Sequence, residues 1–403
     1  MSSEALLSRR TAQLKASPTL FLTAKAKELA SRGNDVISLT VGEPDWGTLA
    51  PVSEAGIEAI QKGVTKYTSA NGTVELRRLL AEKATRDIGV NFSDKEVTVG
   101  SGAKFIIFTA LQTLVNPGDE VILSAPYWVS YPTMIELADG KPVIVSTTEK
   151  TKYKLLAADL AKAITPKTKA FLFCSPSNPT GMMYTKSELQ DLAEVLRKHP
   201  GIAILSDDIY NQLVFASGEV APHILHVAPD LRERTILING GSKSFSMTGW
   251  RIGWGIGPER IIRAMGDFQS QATGAASSIA QYALTKGLPG TPALIEKTRK
   301  LLVERKNAGL KSLRDIPGFS VAEPDGAFYF WVDISKHLGK NHKGRVLATS
   351  SDYGDVLLNE YFVATVPGIE CGTEGFLRLS FAIESERFDQ ACHRMREMIS
   401  ALT

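Results

Sequence analysis

TILINGGSKSF, residues 235–245, runs Ile-Leu-Ile after Thr235, passes to two glycines and then offers a single lysine, Lys243, among small and hydroxylated neighbours. The run reads as a buried strand that ends in a loop. Arg251 follows in a Gly-Trp-Arg-Ile-Gly frame, and RIGWGIG (251–257) reads as the next apolar strand. Upstream, IAILSDDIY (202–210) is a strand ending in two acids, and KAFLFCSPSNPTG (169–181) is a strand running into a turn. EVILSAP (120–126) and KPVIVS (141–146) are two more. EVTVG (96–100) enters the loop GSGAK, and KFIIFTALQTL (104–114) reads as a buried helix that stops at Asn116-Pro117-Gly118. Continuously apolar strands alternating with helical patterns indicate an α/β fold, a mainly parallel sheet covered on both faces. Ligands of such sheets collect at the carboxyl edge, where strands pass into loops. Gly102, Asn178, Asp207 and Lys243 all follow apolar strands.

From Pro289 the texture changes to a long charged helical stretch, then to strands such as GAFYFWVDI (326–334), YFVATVPG and GFLRLSFA (375–382). This predicts a large sheet domain over 49–288 and a smaller α/β domain over 289–403. Residues 1–48 form an N-terminal arm that packs with the smaller unit.

The chain has 403 residues, 43% hydrophobic and 22% charged, with a net charge of +3. Near balance of charge gives no electrostatic case for nucleic acid. Three cysteines, Cys174, Cys371 and Cys392, imply no disulfide framework and a reducing compartment. His223 and His226 are the closest histidine pair and lack a third ligand type nearby, so no metal site is expected. Arg9-Arg10 is not followed by the apolar core of an export signal, because Lys15, Lys25 and Lys27 interrupt it. No run reaches the ~18 apolar residues that span a bilayer. The expectation is a cytoplasmic protein.

A lysine at a sheet's carboxyl edge, desolvated and near other cations, is a nucleophile that can condense with an aldehyde. Taken alone, it is more often a solvated loop lysine. Pyridoxal phosphate needs such a lysine, an anion for its ring nitrogen, donors for its phenolic oxygen and a cradle for its phosphate. Asp207 can supply the anion, although aspartates also cap turns after strands. Tyr210 and Asn178 can donate to the phenolic oxygen, although Asn-Pro-Thr-Gly is good turn chemistry in its own right. GSGAK lies between strand and helix, so the N–H groups of Gly102, Ala103 and Lys104 can face the phosphate. Arg251 adds a cationic fork. A dinucleotide fingerprint fails there, since Phe105 stands where the third glycine belongs. Trp128, in PYWVSYP, can stack on a flat ring or serve as a core tryptophan.

The set GEPDW (42–46), KYTSANG (66–72), GSGAK, PYWVSYP, SPSNPTG, SDDIY, GSKSFSMTGWRIG and FLRLSFA resembles the class I pyridoxal-phosphate-dependent aminotransferases of fold type I. It is most similar to the branch of bacterial aspartate and aspartate/prephenate aminotransferases. The resemblance implies a seven-stranded, mainly parallel sheet in the large domain. Lys243 would bond the cofactor aldehyde and move the proton of the substrate carbon, and Asp207 would pair the ring nitrogen. Asn178 and Tyr210 would hold the phenolic oxygen, and Trp128 would stack on the ring and meet the substrate. Gly102, Ala103, Lys104 and Arg251 would bind phosphate. Tyr67 would reach the phosphate of the other subunit, which implies a homodimer with shared sites. Arg378 would grip the substrate α-carboxylate, helped by Asn178 and by the backbone of Gly42; nothing in its own strand separates it from a surface arginine. The chain departs from the family pattern at Ser177, at Asp208 and at Gly240, where many relatives have a serine; Ser242 is a substitute donor.

The activity implied is amino transfer from aspartate, or another L-amino acid, to 2-oxoglutarate by a ping-pong route. Aromatic, prephenate or kynurenine-type transfer and a lyase are the alternatives within the same cofactor class. A transcription regulator on this fold would need a DNA-binding domain before GEPDW. An acidic substrate needs a cation for its second carboxylate. DFQSQATGAASS (267–278), where a partner's loop is expected, contains no arginine. The resembled branch points instead to Lys104.

Overall fold

After the helix Pro18–Ser31 comes a short parallel pair, in which β1 (Ile37–Ser38) lies beside Val363–Ala364. The computed structural model describes residues 7, 8, 11, 14, 17–216, 218 and 220–403. Arg9, Arg10 and Lys15, on which the export reading turned, lie outside these residues. The central sheet is built from β2 (Val97–Gly100), β3 (Glu120–Ala125), β4 (Lys141–Ser146), β5 (Thr168–Cys174), β6 (Ala203–Asp207), β7 (Thr235–Gly240) and β8 (Gly253–Ile256). Its seven strands run in the order β2-β8-β7-β6-β5-β3-β4. The four pairings from β4 to β7 are parallel, whereas β8 is antiparallel to both β7 and β2.

The apolar strands read as continuous because both sheet faces are covered. Leu205, Ile236 and Ile238 pack with Ile106, Ile107 and Leu111 of the helix Ala103–Leu114 on one side. Ile204, Phe171 and Leu237 pack on the other side with Leu76 and Leu80 of Val74–Ile88 and with Leu189 and Leu192 of Lys186–Arg197. Each large side chain so buried contributes roughly 1.5–3 kcal/mol before entropy is counted.

RIGWGIG enters the sheet only at Gly253. Arg251 sits in the left-handed region, with φ 53°, so the chain is still turning there. The return from β7 to β8 is made of turns and contains no helix, and β8 runs back along β7.

Towards the C-terminus a four-stranded antiparallel sheet runs in the order Val366–Pro367, Phe376–Ser380, Tyr329–Asp333, Ser320–Val321. GAFYFWVDI is a strand only from Tyr329. Before it, Gly326 N–H donates to Gly181 O and Ala327 N–H to Leu213 O, and Ala327 has φ 60°. One buried cluster joins Ile37 and Leu39 to Leu302, Phe330, Leu377, Leu379 and Phe388. Leu377 and Leu379 enter that cluster, so the intervening Arg378 points to the other face of its strand.

Candidate active site

The carboxyl ends of β5, β6 and β7 open into a cavity of about 280 Å³. Its wall contains Gly42, Ala103, Lys104, Trp128, Asn178, Asp207, Tyr210, Lys243, Arg251 and Arg378. These residues come from sequence positions more than 300 apart and meet because strand ends and the antiparallel C-terminal sheet face one another. Ser17, Thr19, Leu20 and Val41, from the N-terminal segment, close one side.

Lys243 lies in the loop after β7, and its ammonium donates to the carbonyl of Gly42. Burial, with Arg378 next, lowers its pKa to about 8. Asp207 ends β6 and is 4% exposed. Its Oδ2 accepts from the Tyr131 hydroxyl at 2.5 Å and its Oδ1 from the Ile209 N–H at 3.3 Å. Burial raises its carboxyl to about 6, against the two hydrogen bonds that lower it. A lysine poised near neutrality and a buried carboxylate thus face one small space.

The loop after β2 makes a tight turn into a helix N-terminus. Gly102, at φ 95°, caps the helix Ala103–Leu114 in a conformation that L side chains rarely adopt. A Cβ on Gly102 would lie 2.6 Å from Arg251 Nη2. Arg251 donates from Nη1 to Thr248 O at 2.7 Å, which fixes the guanidinium beside the helix N-terminus. β8 lets the loop approach: a Cβ on Gly253 would sit 2.3 Å from Ala103 N and 2.5 Å from Gly102 C. Ser242 is buried in the cavity wall, whereas a Cβ on Gly240 would meet Ile252 O at 3.0 Å.

Arg378 is 2% exposed, and its hydrogen bonds run to neutral groups: Nη1 to Asn178 Oδ1 at 3.0 Å and Nη2 to Thr40 O at 2.5 Å. Its Nε has no hydrogen-bond partner. Tyr210 and Tyr329 share a hydrogen bond of 2.8 Å, and the Arg378 guanidinium lies 4.7 Å from the Tyr329 ring centre. Lys104 is exposed, with its ammonium 4.9 Å from the Trp128 ring centre. Desolvation and then Arg251 lower its pKa.

Tyr67 is not brought into this cavity; its side chain is fully exposed, at 103%. Asp208 turns away from it, accepting from Ser206 Oγ at 2.8 Å and facing His223 Nε2 at 3.4 Å on a different pocket wall. His223 and His226 contact each other through a backbone N–H and a ring nitrogen, and no metal-binding group occurs among the described residues. Tyr131 and Tyr329 were missed. Tyr131 lies inside PYWVSYP, but its partner is 76 positions away; Tyr329 reads as one aromatic of a strand, with no local mark of a polar role.

Pyridoxal phosphate fits this donor set. The buried guanidinium of Arg378 hydrogen-bonds only neutral groups, Asp207 feels the charge of Lys243 without a hydrogen bond to it, and the Gly102 turn would be filled by a single Cβ.

The family described as aminotransferase class I and II matches residues 34–395. An aspartate/prephenate aminotransferase of Cereibacter sphaeroides is 43% identical over 99% of this chain and 100% of its own length. A second, from Nitrosomonas europaea, is 41% identical over 98% of this chain and 100% of its own length. Among solved structures, the aspartate aminotransferase of Rhizobium meliloti superposes with a TM-score of 0.94 at 36% identity, covering 98% of this chain and 99% of that one. The Thermus thermophilus aspartate aminotransferase with maleate gives 0.90 at 37% identity, covering 97% and 99%.

Proposed function

The chain belongs to the class I and II aminotransferases, and from that premise we propose that it moves an amino group from aspartate to 2-oxoglutarate. The observation that carries the reading is Arg378, a buried guanidinium with neutral partners only, facing Lys243 and Asp207 across one cavity. An α-amino acid supplies the carboxylate that this cation lacks.

Pyridoxal phosphate, when bound, supplies the electron sink that makes exchange of an amino group for a carbonyl oxygen possible. Lys243 would hold its aldehyde, Asp207 its ring nitrogen, Asn178 and Tyr210 its phenolic oxygen, and Trp128 would cover its ring face. Gly102, Ala103, Lys104, Ser242 and Arg251 would hold its phosphate. Lys243, with a pKa of about 8, has a substantial neutral fraction near pH 7.5, so its Nζ can take a proton from the substrate Cα and return it. Arg378 orients the substrate by its α-carboxylate. The Lys104 ammonium, next to Trp128, balances the second carboxylate of a dicarboxylic substrate; the maleate in the Thermus enzyme is such a molecule. A lysine is a mobile point charge, so bulky side chains are admitted second. The relatives named for both aspartate and prephenate support prephenate as a further amino acceptor, while a kynurenine-type enzyme or a lyase is not favoured.

The fully exposed Tyr67 suits a homodimer in which it reaches the partner's phosphate site. We divide the chain into an arm over 1–48, a cofactor-binding domain over 49–288 and a small domain over 289–403, and place the enzyme in the cytoplasm, where unpaired Cys174, Cys371 and Cys392 are at ease.

The test is a panel of single amino acids added to protein reconstituted with pyridoxal phosphate, followed by the visible absorbance of the cofactor. Aspartate and glutamate should convert it fastest, and 2-oxoglutarate should restore it. Lys243→Ala should bind the cofactor yet convert none of it. Conversion by Lys243→Ala at a near-normal rate, or no conversion by aspartate in the unaltered protein, would end this reading.

A further inference from the structure

Tyr329 is fully buried at 1% exposure and belongs to the C-terminal sheet, while the groups it touches belong to the strand ends opposite. Its hydroxyl lies 2.8 Å from the hydroxyl of Tyr210. Its ring stands edge-on to the Tyr210 ring, 5.8 Å between centres and 83° between planes, and the Arg378 guanidinium sits over its face. The same hydroxyl closes on Gly42: a Cβ there would come within 2.2 Å of Tyr329 Oη and 3.4 Å of Lys243 Nζ. One phenol therefore touches Tyr210 and Arg378 and borders Lys243.

A phenol has one proton to donate and can accept as well. Burial raises the pKa of both phenols, so both stay neutral. Between two neutral hydroxyls only one proton lies on the shared line. If Tyr210 spends its proton on Tyr329, it has none for a ligand. If Tyr329 donates instead, the Tyr210 proton is free to point into the cavity, and Tyr210 becomes a stronger donor because its own oxygen is already accepting.

We propose that Tyr329 is a positioning residue, whose hydroxyl donates to Tyr210 and so turns the Tyr210 proton towards the phenolic oxygen of the group held at Lys243. This rests on the reading of the cavity given under Proposed function. Tyr329 touches no reacting atom in this account. It fixes the direction of a donor that does.

Donors to an anionic oxygen favour the less protonated state of the group that carries it. Weakening the Tyr210 donor must therefore raise the pH at which the Lys243–cofactor linkage gives up its proton. The experiment titrates the visible absorbance of reconstituted wild type, Tyr329→Phe, Tyr210→Phe and the double variant. Phenylalanine keeps the ring under Arg378, so the substrate grip is left in place. Tyr329→Phe should shift the proton equilibrium by about two- to tenfold, the weight of one neutral hydrogen bond. Tyr210→Phe should shift it further. Adding Tyr329→Phe to Tyr210→Phe should change nothing more, because the donor it supports is gone. A merely structural Tyr329 would alter the melting temperature and leave the titration where it was. A wild-type midpoint in Tyr329→Phe, or an equal added shift in the double variant, overturns the inference alone. A wild-type midpoint in Tyr210→Phe overturns the assignment of Tyr210 to the cofactor and the inference with it.

Discussion

Replacing Tyr131 by phenylalanine removes a single oxygen atom, the one that donates to Asp207 Oδ2 at 2.5 Å. The ring survives in its packing, edge-on to Trp128 with 5.3 Å between centres. A hydrogen bond to a charged acceptor contributes about 1.5–3 kcal/mol. Each pKa unit corresponds to about 1.4 kcal/mol, so the loss raises the Asp207 carboxyl by about one to two units. Its starting point is about 6, already lifted by burial; the variant should therefore titrate at about 7 to 8. Only the ionised carboxylate pairs with a protonated ring nitrogen, so cofactor affinity falls wherever the variant carboxyl is the more protonated of the two. The ratio of the two affinities should be about ten- to a hundredfold at pH 5 and close to one at pH 9. Fluorescence titration of the two apoproteins with pyridoxal phosphate between these limits measures it. Taking the ratio cancels the titration of Lys243 and of the phosphate. A ratio that stays flat with pH refutes the reasoning, since Tyr131 would then act through shape and not through the proton on Asp207.

Asp207→Asn should retain part of its cofactor and slow the amino-acid half-reaction by orders of magnitude, because an amide cannot balance a ring cation; unchanged stopped-flow rates would remove Asp207 from the site. Lys243 holds its amine neutral more readily than an ordinary lysine, so cofactor uptake by the apoprotein should quicken with rising pH and level off above about pH 8. A rate that has levelled by pH 6, or that still climbs at pH 10, contradicts that assignment. Lys104→Ala should raise KM for aspartate and glutamate far more than for phenylalanine or alanine, and an equal loss for all four would move the acidic specificity elsewhere. Gly253→Ala places a methyl group against backbone atoms of Gly102 and Ala103, so it should cost about 1–3 kcal/mol and weaken phosphate binding. Unaltered melting and unaltered affinity would show that the loop yields freely.

The central sheet was legible because its strands lie between two covered faces, and Phe171, Leu205 and Ile238 can all be apolar without alternation. The reversed direction of β8 was not, since nothing in RIGWGIG differs from a parallel strand; the return from Gly240 through turns, with no helix, accompanies it. Residues that follow strands, such as Asp207 and Lys243, are marked by the change from apolar to polar along the chain. Arg378 carries no such mark, because its partners Thr40 and Asn178 lie 338 and 200 positions away. Tyr131 and Tyr329 are harder still. A tyrosine belongs equally to a core and to a site, and only the atom its hydroxyl reaches tells the two apart. The register of Gly100 and Gly240 opposite Gly253, which brings the loop after β2 and the Lys243 loop to one edge, is likewise a property of pairing.

Asp207, Lys243 and Arg251 hang from the sheet, but Ser17, Thr19, Leu20 and Val41 close the cavity from a stretch that takes no part in it. The N-terminal stretch meets the sheet's charged groups through backbone, the carbonyls of Thr40 and Gly42, so its side chains can change while those bonds remain. Substitutions in the sheet edge put the proton chemistry at risk, whereas the N-terminal wall can be enlarged, narrowed or charged while Asp207 keeps Tyr131 and Lys243 keeps Gly42. A lineage that must accept a new side chain can therefore vary this wall as one varies the wards of a lock, with the bolt untouched.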